Sequence, residues 1–189
     1  MILSDFHLHS SFSGDCESPM EEVIIAAIEK NIKYLCFTEH HDLEFPECGI
    51  DFELDIPAYY TYITNMKEKY KDQITILMGI EIGMQQHLYD QLDQLIKNYP
   101  FDFILASNHL GQGVDPYQPE YFNNVSKKEA FTIYFKDILF NVKYYDNFDS
   151  YGHLDYVMRY YPHGDKMYEY QDYKVILDQI LTYIIDKGK

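Results

Sequence analysis

Along the chain, short apolar runs alternate with longer amphipathic stretches. The runs "MILSDFHL" (1–8), "YLCFTEH" (34–40), "ITILMGIEI" (74–82), "FDFILASNHL" (101–110) and "DSYGHL" (149–154) predict five strands. Several are continuously apolar, as in a parallel sheet buried on both faces. Helical patterns fill the gaps. "SPMEEVIIAAIEKN" (18–31) offers Ser18 as N-cap, Pro19 at the first helical position and Glu21 to complete a capping box. Residues 57–71 and 87–98 predict two more helices. "SKKEAFTIYFKDILFNVKYY" (126–145) repeats the capping logic with Ser126 and Glu129, and a last helix spans about 168–187, ending at Gly188. Segments 42–56 and 111–125 are long loops rich in Asp, Glu, Pro and Gly, of the kind that shapes a site. The βα order implies a parallel sheet with right-handed crossovers, either open or part of a barrel. With no linker, repeat or low-complexity stretch, residues 1–189 are expected to form a single domain.

The first strand carries an unusual face. Alternate side chains share a side, so Asp5, His7 and His9 project together while Phe6 and Leu8 face away. Two imidazoles and a carboxylate suggest a metal site. Every other predicted strand also ends in potential ligands. The second ends in Glu39, His40, His41 and Asp42, the third in Glu81, the fourth in His109, and the fifth in His153 with Asp155. Parallel strands bring these tips to one rim, where barrel enzymes build active sites. A lone histidine is more often a satisfied core or surface residue, but five agreeing tips overturn that reading for His7, His9, His40, His109 and His153. Glu81 is a carboxylate inside an apolar strand, which is costly unless it is paired or metal-bound. His41 should face away from His40. His87 reads as a solvated helix residue and His163 as a loop residue. Asp5 and Asp155 are candidates to accept N–H hydrogen bonds from ligating imidazoles. Six or more His and carboxylate ligands without thiolate suit two or three divalent ions (zinc, manganese or iron), with Glu81 bridging.

Charge and composition sharpen the picture. The formal net charge of −16 argues against a nucleic-acid surface. An acidic chain that handles phosphate needs bound cations to reverse the local sign. No apolar run approaches the roughly 20 residues of a membrane span, and the start has no secretory signal pattern. Cys16, Cys36 and Cys48 lack CxxC spacing and read as reduced thiols in a cytoplasmic protein, with Cys36 in the core. Tyrosine is abundant at 20 residues while tryptophan is absent, which suits amphipathic packing.

The motifs "DFHLHS", "FTEHHD", "GIEIG", Ser-x-His in "SNHLG" and "GHLDYVMRY" resemble, in order and interval, the PHP (polymerase and histidinol phosphatase) superfamily, and within it the bacterial histidinol-phosphate phosphatases. The resemblance implies a distorted (β/α)7 barrel and a trinuclear centre that hydrolyses histidinol phosphate in histidine biosynthesis. By motif, His7, His9 and Glu81 would hold one ion, and Glu81, His109 and His153 a second. Asp15 would share the third with His40. Glu81 would thereby be central to catalysis, and Arg159 resembles the residue that grips the substrate phosphate, a bidentate task suited to guanidinium. A surface arginine is its plain alternative. Family members continue through further strands to an Asp-x-His motif, whereas this chain stops at "IIDKGK". The expectation is therefore a barrel incomplete at its C-terminus, with copies associating through the open edge. A non-catalytic metal-binding fragment and a PHP-type nuclease are the competing functions. Metal-dependent turnover of a phosphomonoester separates the enzyme from the first, and nucleotide release from DNA identifies the second.

Overall fold

The computed structural model describes residues 2–162 and 168–189, so the loop assignment of His163 lies outside the described residues. The fold is α/β, with strands and helices alternating along the chain. Contacts divide it into two compact units, Met1–Ile82 with Leu92–Leu105, and Gly83–Gln91 with Ala106–Lys189.

The first unit holds β1 (Ser4–Leu8), α1 (Met20–Glu29), β2 (Tyr34–His41), α2 (Ile56–Tyr70), most of β3 (Thr75–Gly83) and of α3 (Tyr89–Asn98), and the start of β4 (Phe103–Ser107). Its strand order is β1-β2-β3-β4, and the β1–β2 and β2–β3 pairs are parallel. The runs in β2 and β3 are buried as their apolar continuity requires, with Phe37 and Ile80 fully enclosed. At Gly79 a Cβ would stand 2.7 Å from Cys36 Sγ and from the Phe37 carbonyl oxygen, so this close strand approach excludes a side chain. The Tyr59 hydroxyl from α2 lies 3.0 Å from the carbonyl oxygens of both Phe37 and Gly79 and ties the helix to the two strands. Burial pushes that phenol well above its ordinary pKa.

Two features depart from the pattern-based expectation. Strand β1 is exposed along most of its length rather than buried on both faces. It also carries one extra residue between Asp5 and Leu8 relative to β2, a bulge of the kind that re-aims side chains beside sites. Helix α1 starts at Met20 with Pro19 in the cap position and no side-chain cap. Ser18 is instead drawn into the preceding loop, where its carbonyl accepts the Ser11 N–H at 2.8 Å. Glu21 and Glu22 in the first turn still complement the helix dipole.

The second unit holds the 3-10 turn Gln86–Leu88 that opens α3, the end of β4, a 3-10 turn at Pro119–Phe122, α4 (Lys127–Tyr144), β5 (Ser150–Tyr151), α5 (Tyr156–Tyr160) and α6 (Tyr170–Asp186). Strand β5 is only two residues long, shorter than the apolar run 149–154, and is followed by a Gly152 N–H bond to Ala106 O at 2.8 Å. The Ser126/Glu129 capping box forms as expected. Phe131, Tyr134, Phe135 and Ile138 of α4 pack with Tyr173, Leu177 and Ile180 of α6. The tyrosines act as apolar bodies with a polar tip. The hydroxyls of Tyr134 and Tyr151 both donate to Asn108, the first to its carbonyl and the second to its side-chain oxygen. Asn141 donates to that same side-chain oxygen at 2.9 Å and accepts from the Tyr89 hydroxyl. This network fixes the backbone immediately before His109.

Candidate metal centre

In the first unit the strand register assembles the site. His40 and Glu81 are partners in the parallel β2–β3 ladder, so both side chains leave the same face at the same level. Glu81 is fully buried. Its Oε2 atom lies 3.1 Å from His7 Nε2, 3.3 Å from His9 Nε2 and 3.4 Å from His40 Nδ1. Three imidazoles thus converge on one carboxylate oxygen. The His9 and His40 rings stack at 4.2 Å, with 8° between their planes. Asp15 Oδ2 is 3.7 Å from His40 Nε2 and Asp42 Oδ2 is 3.7 Å from His40 Nδ1. Asp15 is brought here by its loop: a Cβ on the preceding Gly14 would stand 2.1 Å from the Asp51 carbonyl oxygen, so only glycine lets these backbones approach.

The donor set fits divalent metal. His7, His9 and Glu81 each offer a ligand atom, all within 4.8 Å of one another. Two atoms each about 2.0–2.1 Å from one ion, at a roughly tetrahedral angle, are about 3.3 Å apart, close to the observed separations. Burial, with His40 next, holds the His9 imidazole down to about 4, while Glu81 and Glu39 oppose the shift. His9 is therefore neutral at pH 7, the form that binds metal. Imidazole and carboxylate without thiolate suit zinc, manganese or iron.

The other sequence candidates fall into place around this cluster. His41 is turned away from it, as alternation requires. It is buried, its Nδ1 accepts the Leu54 N–H at 3.1 Å, and burial lowers its pKa. Asp5 accepts the backbone N–H of His7 at 3.2 Å and thus holds the strand rather than an imidazole. Asp155 occupies the cap position of α5 without a side-chain cap bond. His87 is exposed on its 3-10 turn. Glu39 and Asp42, named with His40 among the potential ligands at the tip of the second strand, are both buried, and Asp42 reaches His40 while Glu39 is turned to the serines of the loop after β1.

In the second unit, His109 follows β4 and His153 follows β5. Their ring centroids are 5.3 Å apart, and Tyr156 packs against both at 5.4 and 5.3 Å. Arg159 is exposed one turn along α5, its guanidinium 5.5 Å from the Tyr156 ring. Among the described residues, no helix is long and apolar enough to cross a membrane.

A family model described as PHP domain matches residues 5–189. A histidinol-phosphatase of Lactococcus lactis is 37% identical, the match covering 98% of this chain and 68% of that protein. A Clostridium acetobutylicum protein named "Probable histidinol-phosphatase" is 36% identical, with 98% and 70% covered. Among solved structures, the L. lactis histidinol phosphate phosphatase, complexed with zinc, L-histidinol and phosphate, superposes with a TM-score of 0.94 at 36% identity, covering 98% of this chain and 70% of that one. A Listeria monocytogenes structure matches with a TM-score of 0.80 over 97% of this chain and 79% of its own, and at 20% identity that likeness is one of fold alone.

Proposed function

Because this chain belongs to the PHP domain family, we propose that it is a metal-dependent phosphomonoesterase that hydrolyses L-histidinol phosphate to L-histidinol and phosphate, a step of histidine biosynthesis. The observation that carries this reading is the buried Glu81 oxygen facing three imidazoles, in a chain whose 36%-identical structural relative holds zinc, L-histidinol and phosphate. The family match runs through both units, which supports reading residues 5–189 as one functional domain.

The ligands are His7, His9, Asp15, His40 and Glu81 in the first unit and His109 and His153 in the second, for two or three ions of zinc, manganese or iron. Such ions supply Lewis acidity toward phosphate oxygens and activate water near neutral pH. Glu81 offers the oxygen best placed to be shared between ions. Arg159 is the residue for the substrate phosphate, since its guanidinium is exposed and can pair with phosphate through two hydrogen bonds. The net charge of −16 favours a substrate whose amine and imidazole are cationic, once metal has offset the charge around the phosphate.

The test is phosphate release from L-histidinol phosphate by the chain loaded with Zn²⁺ or Mn²⁺. Release that stops on chelation and is lost in Glu81→Ala is the expected result. A folded, metal-loaded chain that releases no phosphate from this ester overturns the reading. Nucleotide release from single-stranded DNA instead would reassign it as a nuclease.

A further inference from the structure

Ser10 and Ser13 lie in the loop leaving β1, and both are buried. They close on Glu39, whose side chain is also fully buried. A carboxylate in that position is costly unless donors surround it. Ser10 N–H donates to both of its oxygens, at 2.9 and 3.1 Å. Ser10 Oγ lies 2.5 Å from Oε1, and Ser13 Oγ lies 2.6 Å from Oε2. A backbone N–H can only donate, so Glu39 is the acceptor of this cluster and both serine protons point to it.

A hydroxyl has one proton. With that proton on Glu39, Ser13 Oγ serves its other neighbours only as an acceptor. Those neighbours are the His40 N–H at 3.0 Å and His9 Nδ1 at 3.3 Å. The His9 nitrogen facing Ser13 therefore carries the ring hydrogen. Its Nε2 is left with a lone pair, and Nε2 is the atom 3.3 Å from Glu81 Oε2. Two lone pairs facing each other at that distance repel unless a cation lies between them.

We propose that Glu39 and Ser13 are positioning residues for the metal centre: the Glu39 carboxylate, acting through the Ser13 hydroxyl, holds His9 in its Nδ1–H tautomer and aims Nε2 at the ion. The same hydroxyl anchors the His40 backbone, so one serine sets two ligands. The inference rests on His9 being a ligand, as the proposed function has it.

The test uses the full chain with Ser13→Ala, Ser13→Thr and Glu39→Gln. Histidine ring ¹⁵N spectra of the chain loaded with Zn²⁺ should show His9 ligated through Nε2 with its proton on Nδ1, and Ser13→Ala should shift the resonance of that Nδ1–H. Co²⁺ affinity, measured against a competing chelator, should fall about 10–100-fold in Ser13→Ala, with an altered visible Co²⁺ spectrum. Ser13→Thr keeps a hydroxyl and should restore both. Glu39→Gln, close to isosteric, should shift affinity in the same direction and carries the test if circular dichroism shows Ser13→Ala unfolded. A His9 proton on Nε2 in the unmodified chain, or unchanged affinity and spectrum in both the Ser13→Ala and Glu39→Gln chains, overturns the proposal. An unmodified chain with the Nδ1–H tautomer and serine-dependent Co²⁺ binding, but no phosphate release, overturns the function and leaves this relay standing.

Discussion

Glu81 shows how one residue can organise a site. An apolar strand buries its side chain completely, and the imidazole nitrogens of His7, His9 and His40 are brought against Oε2. If it is shared between ions, Glu81→Ala should lower bound metal by more than one ion per chain, measured by elemental analysis. His87→Ala, on an exposed turn, should change nothing. Arg159→Ala should lower kcat/KM by roughly 10–100-fold, equivalent to about 1.4–3 kcal/mol, without changing metal content. Away from the site, burial raises the Asp137 carboxyl, partly offset by the Gln112 N–H that it accepts. A raised carboxyl pKa means that the folded chain holds this proton more tightly than the unfolded chain. Stability from this group is therefore present at acid pH and lost as pH rises from the ordinary aspartate value through the folded one. Asp137→Asn should raise the melting temperature by about 1–3 °C at pH 7, with the gain vanishing below the usual carboxylate range.

At the scale of elements, helix ends separate what a short motif can specify from what context overrides. Two serines were equally good caps by sequence. Ser126 meets Glu129 in a reciprocal box, while Ser18 gives its carbonyl to the loop that carries Ser11 and caps nothing. Ser126→Ala should therefore lower stability by about 0.5–2 kcal/mol, read from the urea midpoint. Ser18→Ala should stay within about 0.5 kcal/mol of the unmodified chain. The short elements went unseen for a related reason. Helix α5, a five-residue turn, and the 3-10 turn Pro119–Phe122 are too brief to show a period, and they form because Val157 and Phe122 are drawn into the α4–α6 core.

For the whole molecule, metal is expected to contribute to stability as well as to chemistry. Ions that bind only the folded chain add RT ln(1 + [L]/Kd), about 2.7 kcal/mol at a hundredfold excess over Kd. Chelation should thus lower the melting temperature and abolish phosphate release together, and Zn²⁺ or Mn²⁺ should restore both. Loss of activity without any thermal shift would mean that the ions are not held by the ligands named here.

By itself, the sequence determined the α/β alternation and the placing of His7, His9, His40, Glu81, His109 and His153 at or near strand ends, because strand period, apolar continuity and strand termini are local properties of the chain. Alternation also sufficed to turn His41 away from His40. The tertiary structure decided which of these groups meet. The extra residue in β1, the His40–Glu81 register, the close approach of Gly14 to Asp51 and the closure of Ser10 and Ser13 on Glu39 all join residues more than twenty positions apart. Periodicity tells a side chain which face to take. Only backbone pairing and packing tell it how far along that face its partner stands, and for a metal ligand that distance decides whether an ion can bind.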